Sequence, residues 1–236
     1  MAYIWILGDS WGDTWGTYGG SEIAPDIGFE HQFERLGHRV VCLARSGMSN
    51  FTTRKNAETA IAKGAKPPTH IIQFWTEALR DLNTYKILNQ FDVNSSWQFN
   101  HLNKKITDYE MDKLTQLKTQ MNNPHWALIG GQSDLSEHQT QQIKPSFILN
   151  SWRSQILKKE LPKCFLVGNL DLLQDKCNND NVETKQEILD IAQITLDEMA
   201  ESPRFKDDAH PDWQCYKQLS EELVSWIDTT SHLSKF

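Results

Sequence analysis

Short apolar runs of strand length alternate with segments of helical period along the chain. The apolar runs cover residues 3–7, 39–44, 70–75, 126–129 and 164–167. Each of them ends close to Gly, Ser, Thr or Asn, where a loop would begin. Apolar runs that alternate with helices are typical of a parallel sheet covered on both faces. The pattern therefore predicts an α/β fold, a three-layer α/β/α domain with about five parallel strands.

Apolar side chains also recur at helical spacing. Segments 27–36 and 182–200 each place their apolar residues on one face, which predicts a helix in each. A further helix is predicted from Asp212 to near the end of the chain, with the Asp212 carboxylate placed to cap its first turn.

One long polar segment interrupts the pattern. Residues 81–123 are rich in Asn and are longer than an ordinary connection between a strand and a helix. We interpret them as an insertion that contains a helix over 109–121 and lies as a cap over the strand ends. The whole chain, 1–236, with this insertion, is predicted to form a single domain of the size that one α/β core commonly fills.

Composition narrows the classes of function. Lys and Arg number 24 against 31 for Asp and Glu, a net charge of −7, and no cluster of basic residues is long enough to neutralise several phosphates. Nucleic acid is therefore not expected as a partner. The four cysteines include no Cys-x-x-Cys pair and are interpreted as reduced thiols. Neither a metal nor a cofactor is predicted.

The start of the chain does not resemble a secretory signal. It lacks a basic region, and its apolar stretch is short and runs into Gly8. No segment approaches the length needed to cross a bilayer. We expect a cytoplasmic or virion-associated protein with no membrane partner.

Two segments at opposite ends of the chain contain a serine and a histidine, each with neighbouring aspartates. Gly8-Asp9-Ser10 follows the first apolar run, and Asp207-Asp208-Ala209-His210-Pro211 precedes the last helix. A serine hydroxyl becomes a good nucleophile when a histidine takes its proton and a carboxylate orients that histidine. Each segment alone also fits a tight turn or a solvated acidic loop. Asp9 is expected to anchor its turn through backbone N–H groups, and Asp208 is the alternative to Asp207 as orienting group.

In order and spacing, these blocks resemble the SGNH/GDSL hydrolase family across essentially the whole chain. Ser10 matches the family's nucleophile, Ser46-Gly47 its glycine block, and Asp207 and His210 its last block. The resemblance implies a three-layer α/β/α fold and serine-dependent ester hydrolysis without a cofactor. It also implies an oxyanion hole that includes the backbone N–H groups of Ser10 and Gly47.

The third block departs from the family pattern. Where the family has Gly-x-Asn-Asp, this chain reads Phe74-Trp75-Thr76-Glu77, so one side-chain amide of the oxyanion hole is missing. Removing one such donor typically lowers turnover by about 10²–10³-fold. The Thr76 hydroxyl and the Gln132 amide are the candidate substitutes, although the sequence around Gln132 also fits a Gly-rich turn.

Nine tryptophans are many for a chain of this length. Four of them, Trp11, Trp15, Trp75 and Trp213, fall next to the predicted site. An aromatic wall suits sugar rings or apolar acyl chains, so we predict that they bind substrate. Packing in the core beneath the site is the alternative.

The sequence therefore predicts hydrolysis of a carboxylic ester, with a small molecule or an acylated carbohydrate as substrate and removal of an acetyl group as the favoured reaction. The alternative is a binding module of the same fold that holds such a ligand with weak or no catalysis. Two other classes fit poorly. A metallophosphoesterase would need a histidine where Trp11 stands, and a dinucleotide-binding fold would need Gly-x-Gly-x-x-Gly after the first strand.

Overall fold

Five parallel strands form one sheet in the computed structural model, which describes residues 1–13, 29–45, 47–76, 80–81, 98–131, 135–150, 152–158, 211 and 213–233. The strands are β1 (Tyr3–Leu7), β2 (Arg39–Cys42), β3 (His70–Trp75), β4 (His125–Gly130) and β5 (Phe147–Leu149). Their order across the sheet is β2-β1-β3-β4-β5. Because all pairs are parallel, the carboxyl ends of the strands share one edge of the sheet.

Helices cover both faces of this sheet. In the described ranges they are α1 (Phe29–Glu34), α2 (Asn50–Ala62), α3 (Gln98–Gln120), α4 (Glu137–Ile143), α5 (Trp152–Leu157) and α6 (Trp213–Leu233). Ile4 and Ile6 of β1 join a core with α1, α5 and α6, whereas Trp5 and Leu7 join a second core with α2, α3 and α4. This alternation follows from the period of two in a strand. The predicted three-layer α/β/α architecture is confirmed.

Four of the predicted strands are present with small shifts at their ends. β5 was not predicted, because it has only three residues and none of them is fully buried, so its apolar signal is weak. The predicted strand at 164–167 and the predicted helix at 182–200 lie outside the described residues. None of the described helices combines the length and the apolar character needed to cross a membrane.

The described part of the predicted insertion is a helix that covers the sheet. α3 begins at Gln98, well before the predicted start at residue 109. Its buried side chains Met111, Leu114 and Leu117, and Met121 directly after it, recur at helical spacing in the second core. It therefore lies against a face of the sheet as the connection between β3 and β4, and the expected cap over the strand ends is wrong for this segment. Residues 82–97 lie outside the described residues.

A buried ion pair fixes α3 against α2. The Arg54 guanidinium donates to both carboxylate oxygens of Glu110, at 2.6 and 3.0 Å. Burial alone would lower the pKa of Arg54, but the hydrogen bonds and charges of Glu110 and Glu58 together raise it. Removing one partner would leave the other buried without the hydrogen bonds between them, so we expect the pair to be required as a unit.

Candidate active site

The turn after β1 is built on two glycines that press against β3. Gly8 has φ 137°, and a Cβ placed on it would lie 2.8 Å from both the Cβ and the carbonyl oxygen of Phe74. A Cβ on Gly12 would lie 2.9 Å from the Phe74 ring and 3.0 Å from the Ala44 Cβ. Another residue type at Gly8 would require β3 to move, and one at Gly12 would require the Phe74 ring or Ala44 to move. Ser10 lies between these glycines, at the carboxyl edge of the sheet.

Asp9 closes this turn with its main chain and its side chain. Its carbonyl oxygen accepts from the backbone N–H groups of Gly12 and Asp13, at 3.1 and 3.0 Å. Its Oδ1 accepts from the backbone N–H of Trp11 at 3.0 Å. The expectation that Asp9 anchors the turn through backbone N–H groups is confirmed. Ser10 is thus held between two residues that are bonded to each other.

The second oxygen of Asp9 reaches across to the residues that follow β3. Its Oδ2 accepts from the Thr76 hydroxyl at 2.6 Å and from the Arg80 Nη1 at 3.0 Å. Asp9 is 1% exposed and the Arg80 side chain 26% exposed. A hydroxyl has a single hydrogen, and that of Thr76 is donated to Asp9. The predicted role of Thr76 as an oxyanion donor would therefore require this bond to open.

Asn50, the first residue of α2, binds Thr76 from the other side. Its Oδ1 accepts from the Thr76 N–H at 3.1 Å, and its Nδ2 donates to the Thr76 carbonyl at 3.2 Å and to Asp81 Oδ2 at 2.7 Å. Asp81 Oδ1 also accepts from the Phe51 N–H at 2.9 Å. Burial raises the pKa of Asp81 to about 7, although the bonds from Phe51 and Asn50 act in the opposite direction.

Sequence reasoning missed the roles of Asn50, Arg80 and Asp81. Asn50 begins a helix close behind the predicted glycine block, Asp81 is the first residue of the polar segment interpreted as an insertion, and Arg80 directly precedes that segment. A helix start next to a predicted strand end was the available signal for Asn50. No comparable signal existed for the other two, since many of the residues that follow them are polar as well.

The loop between β2 and α2 lies beside the serine turn. Its residue Arg45 donates its backbone N–H to the Gly8 carbonyl at 3.3 Å. Gly47, in the same loop, has φ 77° and is exposed, and nothing lies within 4 Å of a Cβ placed on it. The loop then enters α2 through Ser49, whose side chain accepts from the Thr52 N–H. The structure therefore brings the loops of Ser10 and Gly47 together at the carboxyl edge.

The last helix meets the same turn. The Tyr216 hydroxyl, near the start of α6, donates to the Trp11 carbonyl at 2.9 Å. The Trp152 ring lies between them, with its centroid 5.6 Å from that of Trp11 and 5.5 Å from that of Tyr216. The two ends of the chain therefore touch one residue beyond Ser10. Asp207 and His210, which precede this helix in sequence, lie outside the described residues.

Two of the four predicted substrate-binding tryptophans are core residues. Trp11 is 0% exposed and packs in the core of α1, α5 and α6, while Trp75 is 2% exposed and packs in the core of α2, α3 and α4. The prediction that they form an aromatic wall at the site is wrong, because helices cover both rings. Trp15, Ser46 and Gln132 lie outside the described residues, as does the side chain of Trp213.

No family model and no curated protein matches the chain. Among solved structures, it is similar to the psychrotrophic esterase EstA from Pseudoalteromonas sp., at 15% identity over 85% of this chain and 99% of that chain, with a TM-score of 0.40. It is also similar to the lipase/acylhydrolase from Enterococcus faecalis, at 16% identity over 98% of this chain and 97% of that chain, with a TM-score of 0.40. The structure of TesA gives 12% identity over 95% and 97% of the two chains and a TM-score of 0.41. These values are too low to carry an inference about activity.

Proposed function

We propose that the protein hydrolyses carboxylic esters with Ser10 as nucleophile. The observation that carries this proposal is the hydrogen bond from Tyr216 to the Trp11 carbonyl, which joins the start of the last helix to the serine turn. His210 lies six residues before Tyr216 in the sequence. A short segment therefore links the proposed base to a residue that contacts the nucleophile turn.

In the proposed mechanism, His210 takes the proton of Ser10 as the hydroxyl oxygen attacks the ester carbonyl. It then returns a proton to the leaving alcohol, while Asp207 orients its ring and stabilises its charged form. The second half-reaction repeats these steps with water as the nucleophile. The backbone N–H groups of Ser10 and Gly47 are proposed to stabilise the oxyanion. Gln132 remains a proposed further donor.

For the substrate we propose an acylated carbohydrate from which a small acyl group such as acetyl is removed. Since Trp11 and Trp75 are buried, this part of the proposal depends on Trp15 and Trp213, which flank the two catalytic segments in the sequence. Aromatic faces next to a nucleophile favour a sugar ring in the alcohol part of the ester.

A binding module that holds the same ligand is the second candidate. The observation that favours it is the bond between the Thr76 hydroxyl and Asp9, because it takes the predicted substitute donor away from an oxyanion. The two candidates differ in whether Ser10 is activated, which can be measured directly.

A fluorophosphonate probe tests this difference, since it reacts with an activated serine. We expect stoichiometric labelling of the full chain, complete loss in Ser10→Ala and unchanged labelling in Ser136→Ala, which removes a serine at the start of α4. Labelling and cleavage of an aryl acetate should both rise with pH through about 6–7, where a histidine ordinarily loses its proton. A folded wild type that stays unlabelled would overturn the enzyme proposal and favour the binding module.

A further inference from the structure

We propose that Thr76 is a positioning residue for Ser10 that acts through Asp9, and that Asn50 holds Thr76 in place for this role. The inference rests on the proposed function of Ser10 as nucleophile. It assigns to Thr76 a task that differs from donating to the oxyanion. It follows from the chain of buried bonds that runs from α2 through the end of β3 to the serine turn.

The first step is that the Asp9 side chain links the residues on either side of Ser10. Asp9 precedes Ser10 in the chain, and its Oδ1 accepts from the N–H of Trp11, the residue after Ser10. Turning this carboxylate would pull on the peptide on the far side of Ser10. The orientation of the carboxylate therefore restrains the backbone on both sides of Ser10, and with it the Cα position from which the Ser10 side chain extends.

The second step is the bond that fixes this orientation. The 2.6 Å contact from the Thr76 hydroxyl to Asp9 Oδ2 is within the range of charge-assisted hydrogen bonds, which are stronger and more directional than neutral ones. Arg80 donates to the same oxygen at 3.0 Å. Of these two donors, Thr76 is 1% exposed and the Arg80 side chain 26% exposed. Thr76 therefore supplies the donor that water does not reach.

The third step is the support of Thr76 itself. The Asn50 amide binds both the N–H and the carbonyl of Thr76, so the residue is held at two points by one side chain. Asn50 is in turn bonded to Asp81, and both side chains are buried. If the Thr76 hydroxyl turned toward an oxyanion, its bond to Asp9 would break. The two bonds from Asn50 restrict any accompanying movement of the Thr76 backbone.

A double-mutant cycle separates this role from a direct contact with the oxyanion. The variants are Thr76→Val, which removes the hydroxyl at nearly constant shape, Asp9→Asn, and the two combined. Thr76→Ser restores the hydroxyl. The matched control is Thr230→Val, which removes another buried threonine hydroxyl, on α6. The readouts are the rate constant for phosphonylation of Ser10, kcat and KM for an aryl acetate, and the melting temperature.

For Thr76→Val we expect kcat and the phosphonylation rate to fall about 10–100-fold with KM within about twofold, since a misoriented nucleophile slows the reaction more than binding. Asp9→Asn should lose a similar factor, and the double variant should lose no more than the larger of the two. Thr76→Ser should recover most of the rate. Thr230→Val should stay within about twofold of wild type, whatever its melting temperature.

Two results would overturn the inference while leaving the ester hydrolase proposal intact. In the first, the losses of Thr76→Val and Asp9→Asn multiply in the double variant, so that Thr76 acts on its own. In the second, Thr76→Val and Thr76→Ser are both labelled at the wild-type rate. A wild type that the probe does not label would overturn both proposals together.

Discussion

The two edges of the sheet both bury polar side chains, but they use them differently. At the carboxyl edge, Asp9, Asn50, Thr76, Arg80 and Asp81 form a cluster that contains full charges and joins three loops. At the amino edge, a histidine cluster of His38, His70 and His125 lies where β2, β3 and β4 begin. The first cluster shapes a turn, whereas the second holds the end of a helix.

The histidine cluster depends on neutral rings. His70 is bonded at 2.9 Å through each ring nitrogen, to the hydroxyls of Thr69 and of Thr230 on α6. Its ring stacks on that of His125, with 5.1 Å between the centroids. Burial, together with the neighbouring His125 and His38, lowers the pKa of His70 to about 4.

The difference teaches that burial of polar groups does not by itself mark a functional site. Asp9 and His70 are both 1% exposed. What distinguishes Asp9 is that its bonds cross from one loop to another and enclose a serine, while those of His70 tie a strand to a helix. Substitutions at the carboxyl edge should therefore change reactivity, and those at the amino edge should change stability alone.

The largest effect is expected from Gly8→Ala. The new methyl group would lie 2.8 Å from the Phe74 carbonyl oxygen, on a residue with φ 137°. Strain and overlap together should lower the free energy of unfolding by about 4 kcal/mol or prevent folding. The matched control at the amino edge is Gly37→Ala, with φ 80° and nothing within 4 Å of the added Cβ, which should lose about 1 kcal/mol. Equal midpoints of urea unfolding for the two variants would contradict this account of the turn.

Acid should weaken the protein through the histidine cluster. The pKa of His70 falls from 6.5 in the unfolded chain to about 4 in the fold, so the unfolded state binds more protons between these values. Stability from this group is complete above pH 6.5 and is lost as pH falls toward 4, by about 3 kcal/mol. Urea unfolding measured from pH 4 to 7 should show this slope, and His70→Gln should flatten it.

Much of the fold could be predicted from the sequence, because the central strands coincide with apolar runs. β1 and β3 are buried almost throughout, so their runs are nearly uninterrupted. β5 and the first turns of α3 lack that signal. Ile148 is 48% exposed, and residues 98–105 of α3 are mostly polar, so neither segment shows a continuous apolar pattern.

The contacts of the site that join residues close in sequence could be predicted. Those that join residues far apart in sequence could not. The anchoring of Ser10 by Asp9 is local. The partner of Thr76 lies 67 positions away in the sequence, and no pattern links the two. Trp75 shows the same limit, because its place at a strand end is visible in the sequence, but the helix that covers it is not.

The next largest effect is expected from Thr76→Asn. The sequence and the structure predict opposite changes in turnover for this variant. If the missing family amide limits the rate, turnover of a small aryl ester should rise. The structure predicts the opposite, a fall of about tenfold in kcat, since a longer side chain breaks the 2.6 Å bond to Asp9 and misplaces Ser10. Steady-state kinetics beside the wild type decide the direction. A rise would mean that the new amide reaches the oxyanion and that the bond to Asp9 is dispensable.

The smallest effect is expected from Tyr216→Phe, which removes the hydrogen bond from α6 to the Trp11 carbonyl in the serine turn. Losing one buried hydrogen bond should lower the free energy of unfolding by about 1 kcal/mol, because the Trp11 carbonyl loses its donor. Since that carbonyl belongs to the residue after Ser10, phosphonylation should also slow by a few fold. Tyr3→Phe, on a ring that packs against Trp5 and Arg39 in β1 and β2, should change neither quantity. If Tyr216→Phe lost stability while reacting at the wild-type rate, the contact with α6 would support the fold without shaping the turn.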